Sequence, residues 1–331
     1  MPETDNGIVY HYCSLEAFKS IIENKCLWLC DVQKSNDSTE CQALPSLIVH
    51  LIENHIPASR DTMNHWTMLD MERSRILTYL SSQDDTSDQI VYSVSFCRHA
   101  DKLSQWRGYA DDATGLCIGF NASYFKQLES YGYVLKNINY NESDLTDTAY
   151  QYFKRISNYL NGISFLSCNQ YTTIEELEKI SLCRDAILYD IKEELPFYKM
   201  GSFSEEKELR LCFTAKHSME TCAFTSDPIH WIVIDKSMCQ KTEASPFSLS
   251  PLRFRTSPVG LRSYYELSFN QIKDNLITEI IIGPKCAATV KDIYFFLAAN
   301  GYHVVSQDST SIFSSFSEPE IIVSKSNITY R

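Results

Sequence analysis

The stretch from 199 to 213, reading KMGSFSEEKELRLCF, constrains the fold more than any other part of the chain. A β-strand directs successive side chains to opposite faces, with neighbours on one face about 6.5–7 Å apart. A strand over 206–213 would therefore have an apolar face and a charged face. These faces carry Leu209, Leu211 and Phe213 on one side and Glu206, Glu208 and Arg210 on the other. The pattern predicts an internal strand that holds a row of charges in fixed positions.

Composition limits the classes of function. The chain has 331 residues, of which 44% are hydrophobic and 22% charged, as is usual for a globular protein with a full core. Its formal net charge is −12, and we see no cluster of Lys and Arg, so nucleic-acid binding is not expected. No secretory signal and no apolar run of membrane-spanning length is present. The 12 cysteines show no Cys-x-x-Cys pair, which favours a reducing cytoplasm and no zinc site.

Short strand patterns alternate with helical patterns along the chain, which predicts an α+β fold with a mixed β-sheet core and flanking helices. We expect a single domain over 1–331, with helical insertions at about 44–88 and 142–195. The stretch 245–258 contains several prolines and is predicted to be irregular. Strands are predicted at 7–12, 26–30, 91–96, 116–120, 133–140, 206–213, 230–235, 279–283, 302–305 and 320–323.

The charged row suits a reaction in which positive charge develops on the substrate. A fixed carboxylate at Glu206 or Glu208 would stabilise that charge, and the second carboxylate could orient or deprotonate an acceptor. Arg210 could bind a pyrophosphate through two parallel bonds. The alternative is a solvated strand face whose Glu–Arg pairs contribute little to stability.

Other candidate residues lie on the first strand and in two loops. His11 stands between Tyr10 and Tyr12, so it would face away from both and could bond a hydroxyl group; a core histidine is the alternative. Asn36 and Asp37, with Glu40 nearby, follow a strand and suit either a binding loop or an ordinary turn.

Trp106 and Tyr109 lie three residues apart, as on one turn of a helix. With Arg107 they could stack on a ligand ring and contact phosphate, or they could belong to the core. Gly115 and Gly119 match neither the dinucleotide-binding fingerprint nor the P-loop.

Several of these motifs resemble a widespread bacterial family of domains of unknown function, often found near mobile and defence genes. The matching stretches are YHYCSLEAF, LWLCDVQKSNDSTE, QWRGYADDATGLCIGF, EEKELRLCF and FLAANGY. The family pattern in turn resembles the ADP-ribosyltransferase fold. That resemblance implies NAD as substrate, with His11 and Tyr12 on the first strand near the ribose. It implies Ser93 and Ser95, or Trp106 and Tyr109, as further contacts, and Glu206 or Glu208 as the catalytic carboxylate.

The leading hypothesis is therefore an NAD-binding bacterial effector, ADP-ribosyltransferase-like or NAD-hydrolysing, of a phage-defence or toxin-type system. It predicts that His11 and Glu206 or Glu208 converge in one pocket, and it implies a protein target or regulatory partner. A second hypothesis is a non-catalytic sensor or interaction module of a defence operon. A third is a metal-dependent nuclease or phosphoesterase in which Asp37, Glu40, Glu206 and Glu208 hold Mg²⁺.

Overall fold

A computed structural model describes residues 7–34, 40–56, 68–82, 89–167, 173–221, 231–235, 245–258, 260–304 and 320–330. The described residues form a mixed β-sheet core with flanking helices, so the predicted α+β class is confirmed. The helices are α1 (Leu15–Asn24), α2 (Ala43–His55), α3 (Met68–Ser81), α4 (Leu103–Tyr109), α5 (Ala122–Gln127), α6 (Glu142–Ser167), α7 (Ile174–Glu194), α8 (Lys273–Leu276) and α9 (Val290–Ala299).

The strands follow the same chain order. They are β1 (Ile8–Cys13), β2 (Cys26–Asp31), β3 (Gln89–Cys97), β4 (Leu116–Asn121), β5 (Val134–Asn137), β6 (Glu208–Thr221), β7 (Trp231–Asp235), β8 (Ser248–Leu249), β9 (Arg253–Ser257), β10 (Gly260–Ser268), β11 (Ile277–Ile282) and β12 (Ile322–Lys325). Their main pairing path runs β12-β11-β4-β1-β3-β2-β10-β8. Strand β6 also pairs with β3, and it links β5 and β7 to the sheet, while β9 pairs with β10.

The β11–β12 pair is parallel, and every other strand pair with a described register is antiparallel. Strand β3 is the junction of the sheet, because β1, β2 and β6 all pair with it. Cys97 of β3 pairs with Tyr10 of β1, and Ser93 pairs with Cys30 of β2.

The chain forms two compact units. The first comprises 1–31, 92–138 and 205–331, and the second comprises 32–91 and 139–204. The two predicted helical insertions, at about 44–88 and 142–195, fall within the second unit. The assignment of the whole chain to a single domain stays a prediction.

The core of the first unit includes a cluster of buried phenylalanines from two strands, one helix and two loops. Phe96 lies 4.9 Å from Phe125 and 5.9 Å from Phe120, between ring centroids, and Phe120 lies 6.1 Å from Phe269. Phe125 stacks on Phe247 at 5.6 Å. Large aromatic side chains contribute both area burial and edge-to-face contacts. This cluster therefore fixes which face of β3 and β4 points inward.

The second unit is a helical bundle of α2, α3, α6 and α7 around buried aliphatic residues such as Ile48, Ile76 and Leu160. One carboxylate, Glu72, is also buried there and only 2% exposed. It accepts bonds from Tyr159 at 2.7 Å and Arg184 at 2.9 Å, and it pairs with Arg75. Burial raises the pKa of the Glu72 carboxyl, but the Tyr159, Arg75 and Arg184 bonds outweigh it, so the pKa lies below its ordinary value.

Local signals explain several element boundaries. The Ser14 hydroxyl accepts a bond from Ala17 N and thereby caps the start of α1, a position at which serine is preferred. The predicted strand 206–213 begins only at Glu208, because Glu206 ends a 3₁₀ turn and Lys207 has φ +46°. The prediction that 245–258 is irregular is wrong for 253–257, which is β9. Residues 302–304 do not form the predicted strand.

A close backbone approach at Gly115 yields a test of the first unit. A Cβ at Gly115 would lie 2.1 Å from the Cys13 carbonyl oxygen, whereas a Cβ at Gly108 would meet nothing within 4 Å. We expect Gly115→Ala to lower the free energy of unfolding by about 1–3 kcal/mol through overpacking. Gly108→Ala, exposed in α4, should be neutral or stabilising by up to about 1 kcal/mol. Urea denaturation measures both; equal effects would contradict the close approach.

The Glu72 network predicts an acid sensitivity of the second unit. A carboxyl whose folded pKa is depressed stabilises the fold above its unfolded pKa, about 4.5, and that stabilisation is lost as pH falls through the folded value. Glu72→Gln should therefore reduce the free energy of unfolding at pH 7 by about 1–3 kcal/mol. The free energy of unfolding of this variant should also decrease less steeply as the pH is lowered. Urea denaturation at decreasing pH measures this. Glu178→Gln, on the exposed surface of α7, is the control and should keep the wild-type pH profile.

Candidate functional site

The two faces of β3 differ in exposure. Tyr92, Val94 and Phe96 are buried on one face. On the other face Ser95 is exposed, Ser93 is half-buried and Cys97 is buried. We call this second surface, defined by Ser93, Ser95 and Cys97, the serine face. It is the part of the central strand where polar groups reach solvent.

Strand β6 adds charged groups to the serine face. Phe213 of β6 packs on Tyr265 at 5.8 Å, and Tyr265 packs on Tyr92 at 4.8 Å, between ring centroids. Phe213 therefore lies on the Tyr92 side of the sheet. Because side chains alternate along a strand, Glu208 and Arg210 project to the opposite side, which is the serine face.

Glu208 and Arg210 form a bidentate ion pair there. Arg210 Nε lies 2.6 Å from Glu208 Oε1, and a terminal guanidinium nitrogen lies 3.2 Å from Oε2. The residues are 7% and 5% exposed. Two parallel bonds fix the position of the carboxylate, and pairing is the condition under which a charge can remain buried. Of the predicted charged row, these two members are brought together as expected.

Cys97 links this pair to the segment that precedes β6. Its Sγ donates to the Glu206 carbonyl oxygen at 3.1 Å and lies 3.4 Å from His99 N. Burial raises the pKa of the Cys97 thiol, the His99 bond and Lys102 offset part of the rise, and the Glu206 and Glu208 carboxylates add to it. The thiol is therefore protonated at neutral pH and is a poor nucleophile. Cys97 was not among the residues predicted from the sequence, although its place two residues after Ser95 puts it on the same face.

Glu206 lies at the edge of this site, off the strand. The prediction that it shares a strand row with Glu208 is wrong, because the positive φ of Lys207 turns the chain between them. Instead, the half-exposed Glu206 carboxylate accepts a bond of 2.6 Å from the hydroxyl of Tyr109, which is 48% exposed on α4. The structure therefore joins two predicted site residues by a contact that their spacing did not suggest.

His11 lies apart from the carboxylates. Its Nδ1 is 3.0 Å from the Ser95 carbonyl oxygen, and because a carbonyl only accepts, Nδ1 carries the proton and Nε2 is an acceptor. The ring packs edge-on against Phe96 at 6.1 Å. Burial lowers the pKa of His11, and the Ser95 bond offsets part of the shift, so the imidazole is neutral at pH 7.

The predicted convergence of His11 with Glu206 or Glu208 is not found. In the described part of the chain His11 makes no hydrogen bond or ion pair with either carboxylate. Its side chain points to the Phe96 side of the sheet, as the alternation along β1 requires, whereas Glu208 projects from the serine face. The histidine and the carboxylates therefore do not share one pocket.

Tyr12 and Trp106 belong to the core. Trp106 is 0% exposed and its Nε1 donates to Asp101 at 2.8 Å. Its ring contacts that of Tyr12 at 4.9 Å. The Tyr12 hydroxyl donates to the His99 carbonyl at 3.1 Å and accepts from Lys102 N at 3.0 Å. Trp106 is therefore a core residue, which is the alternative that its spacing left open, and it has no face for a ligand ring; Tyr12, expected near the ribose, is only 6% exposed.

Three acidic or amide residues of the sequence analysis are not placed. Asn36 and Asp37 lie outside the described residues, and so does the side chain of Glu40. Within the described ranges no group of three or more His, Cys, Asp and Glu side chains is arranged to hold a metal ion. The metal-dependent hypothesis stays a prediction. No helix among the described residues has the length and apolar character needed to cross a membrane.

Residues 105–211 match the family described as "Protein of unknown function (DUF2971)". The match covers about a third of the chain and includes Tyr109, Glu206, Glu208 and Arg210. The expected family of unknown function is thereby confirmed, while the likeness to ADP-ribosyltransferases stays a prediction. Neither the curated proteins nor the solved structures gave a match.

The buried pair predicts a strongly non-additive mutant cycle. Arg210→Met should lower the free energy of unfolding by about 3–5 kcal/mol, because it leaves a buried carboxylate without its guanidinium. The double variant Glu208→Leu/Arg210→Met should lose less than Arg210→Met alone. Urea denaturation at pH 7 measures the cycle. Lys19→Met, which breaks the exposed Lys19–Glu23 pair of 2.6 Å, is the control and should cost under about 1 kcal/mol. The coupling would be ruled out if the losses in free energy of unfolding for Glu208→Leu and Arg210→Met added up to the loss for the double variant.

Proposed function

We propose that the chain binds NAD at the serine face and cleaves or transfers its ADP-ribose unit. One observation carries the proposal: a carboxylate, Glu208, is held by Arg210 on the same sheet face as Ser95, which is exposed. The bacterial defence or toxin-type setting belongs to the same proposal and rests on the motif resemblance alone.

The chemistry requires negative charge near the nicotinamide ribose. As the bond between ribose C1′ and the nicotinamide nitrogen breaks, positive charge develops on the ribose ring and neutral nicotinamide leaves. Glu208, fixed in a partly desolvated site, would stabilise that charge without reorganising. Water or an acceptor group then bonds to C1′ and loses a proton.

Glu206 is the group best suited to take that proton. It stands at the solvent edge, and its bond from Tyr109 orients one carboxylate oxygen, Oε1. The hydroxyls of Ser93 and Ser95 supply donors for the ribose or the pyrophosphate. His11 has no part in this proposal, because its ring lies on the Phe96 side of the sheet.

The test is NAD consumption by the purified full chain, with exposed residues chosen so that the variants fold. Glu206→Gln and Ser95→Ala should each lower turnover by about tenfold or more, equivalent to about 1.4 kcal/mol of transition-state stabilisation. Ser104→Ala, exposed on α4, is the control and should keep wild-type turnover. Thermal melting should show all three variants close to wild type.

The opposite result would favour a second function. If the wild type leaves NAD intact and its melting temperature does not rise with NAD, the proposal fails. The non-catalytic sensor or interaction module would then be preferred. The observation in its favour is that Arg210 already neutralises Glu208, as in a purely structural ion pair. A stoichiometric protein partner, captured with the wild type and lost with Tyr109→Ala, would support that function.

A further inference from the structure

The paired strands β9 and β10 place three arginines on one face of the sheet. Arg253 pairs with Tyr264, and Arg255 pairs directly with Arg262. Tyr264 in turn pairs with Cys30 of β2, two residues from Trp28. Because direct partners and alternate residues share a face, these side chains form one surface. We call the part of it formed by Arg255, Arg262, Trp28 and Tyr264 the arginine patch, and Arg253 borders it.

The charges of the patch are poorly matched. Like charges directly opposite each other on paired strands are destabilising, and Arg255 faces Arg262 in this way. Arg253 has a carboxylate partner, Glu266, at 3.1 Å. In contrast, the Arg262 guanidinium has no hydrogen bond or ion pair to a described residue. The patch therefore concentrates positive charge on a chain whose formal net charge is −12.

Arg255 also has an unsatisfied donor. Its Nε is buried and has no hydrogen-bond partner in the described part of the chain, a condition that is uncommon and calls for an explanation. A terminal nitrogen of Arg255 lies 3.7 Å from Cys30 Sγ. Burial raises the pKa of the Cys30 thiol, the charges of Arg255 and Arg262 act against that rise, and Asp31 adds to it.

Aromatic rings stand beside the unmatched charges. The Arg255 guanidinium lies over the Trp28 ring at 5.4 Å from its centroid, and Trp28 packs against Tyr264 at 4.5 Å. Both Trp28 and Arg255 are half-buried, so part of this stack reaches solvent. Planar guanidinium groups and aromatic rings are surfaces on which nucleobases stack.

We infer that the arginine patch is a nucleotide-binding site. A phosphate group would lie between Arg255 and Arg262 and would relieve their repulsion. The base would stack on the surface formed by Arg255 and Trp28. The site adjoins the serine face, since Cys30, which Arg255 contacts, pairs with Ser93. The arginines themselves lie further away, because β9 is separated from β3 by β10 and β2, three strand spacings or roughly 14 Å. A single nucleotide suits the patch better than a nucleic-acid chain, since the rest of the protein is acidic and repels a polyanion.

The experiment measures binding of AMP, adenosine and inorganic phosphate to the full chain by titration calorimetry. AMP should bind at least about tenfold more tightly than either fragment, because only AMP engages both the guanidiniums and the rings. Arg262→Gln should weaken AMP binding by about tenfold or more. Arg253→Gln is the matched control, since Arg253 is already paired with Glu266, and should weaken it by less than about threefold. Trp28→Leu should weaken AMP binding and leave phosphate binding unchanged.

Melting of the unliganded protein provides a second readout. Arg262→Gln should raise the melting temperature, because it removes repulsion, whereas Arg253→Gln should lower it or leave it unchanged. A lower melting temperature for Arg262→Gln with unchanged AMP binding would make Arg262 structural and overturn the proposal. Equal affinities for AMP and phosphate would show an adventitious ion only. Affinity for a ten-nucleotide oligothymidylate more than about tenfold above that for AMP would replace it with a nucleic-acid surface. AMP is also the adenylate half of NAD, so the variants separate the two proposals: AMP binding that Arg262→Gln weakens and Ser95→Ala does not belongs to the arginine patch, and the reverse pattern belongs to the serine face.

Discussion

The rest of the first unit depends on the pairing of β3, which is bonded by β1, β2 and β6. In a strand, the backbone N–H and C=O groups of successive residues point to opposite edges. Arg98 N, just after β3, donates to Lys207 O at 3.1 Å, towards β6, whereas Cys97 pairs with β1. A strand bonded on both edges cannot shift by one residue without exposing Phe96 and burying Ser95. The register of β3 therefore determines that Ser93 and Ser95 reach solvent.

Strand β3 pairs with β1 at one position and with β2 at another, and a backbone carbonyl of β3 between them accepts a bond from a side chain. Cys97 pairs with β1 and Ser93 pairs with β2, and the Ser95 carbonyl between them accepts from His11. The imidazole supplies that carbonyl with a donor at the point where the backbone pairing of β3 changes from β1 to β2. This gives His11 a structural role that its position between two tyrosines did not suggest. It also holds the ring away from the carboxylates, while burial, not this bond, lowers the pKa of His11 and keeps the ring neutral.

The sequence predicted strongly periodic segments well and long-range relations poorly. The Ser14 cap of α1 and the turn after α9 are local signals, and both are present in the structure. The break at Lys207 is not readable from composition, because a lysine with positive φ is unusual and is imposed by the surrounding fold. Trp106 and Tyr109 share a helical spacing, yet one is buried and the other exposed, since only packing against β1 decides which side of α4 is covered.

The arginine patch was not predicted for the same reason, because it depends on strand pairing between residues that are apart in the sequence. Arg253 and Arg255 stand among prolines that read as irregular structure, and Arg262 follows a turn, so no run of basic residues appears in the sequence. Pairing of β9 with β10 brings them onto one face. Net charge is a property of the whole chain, whereas a bound anion interacts mainly with charges within one Debye length, about 8–10 Å. An acidic protein can therefore hold a local cationic site, and such a site favours a small anion over a long one, because a long polyanion also meets the acidic surface around it.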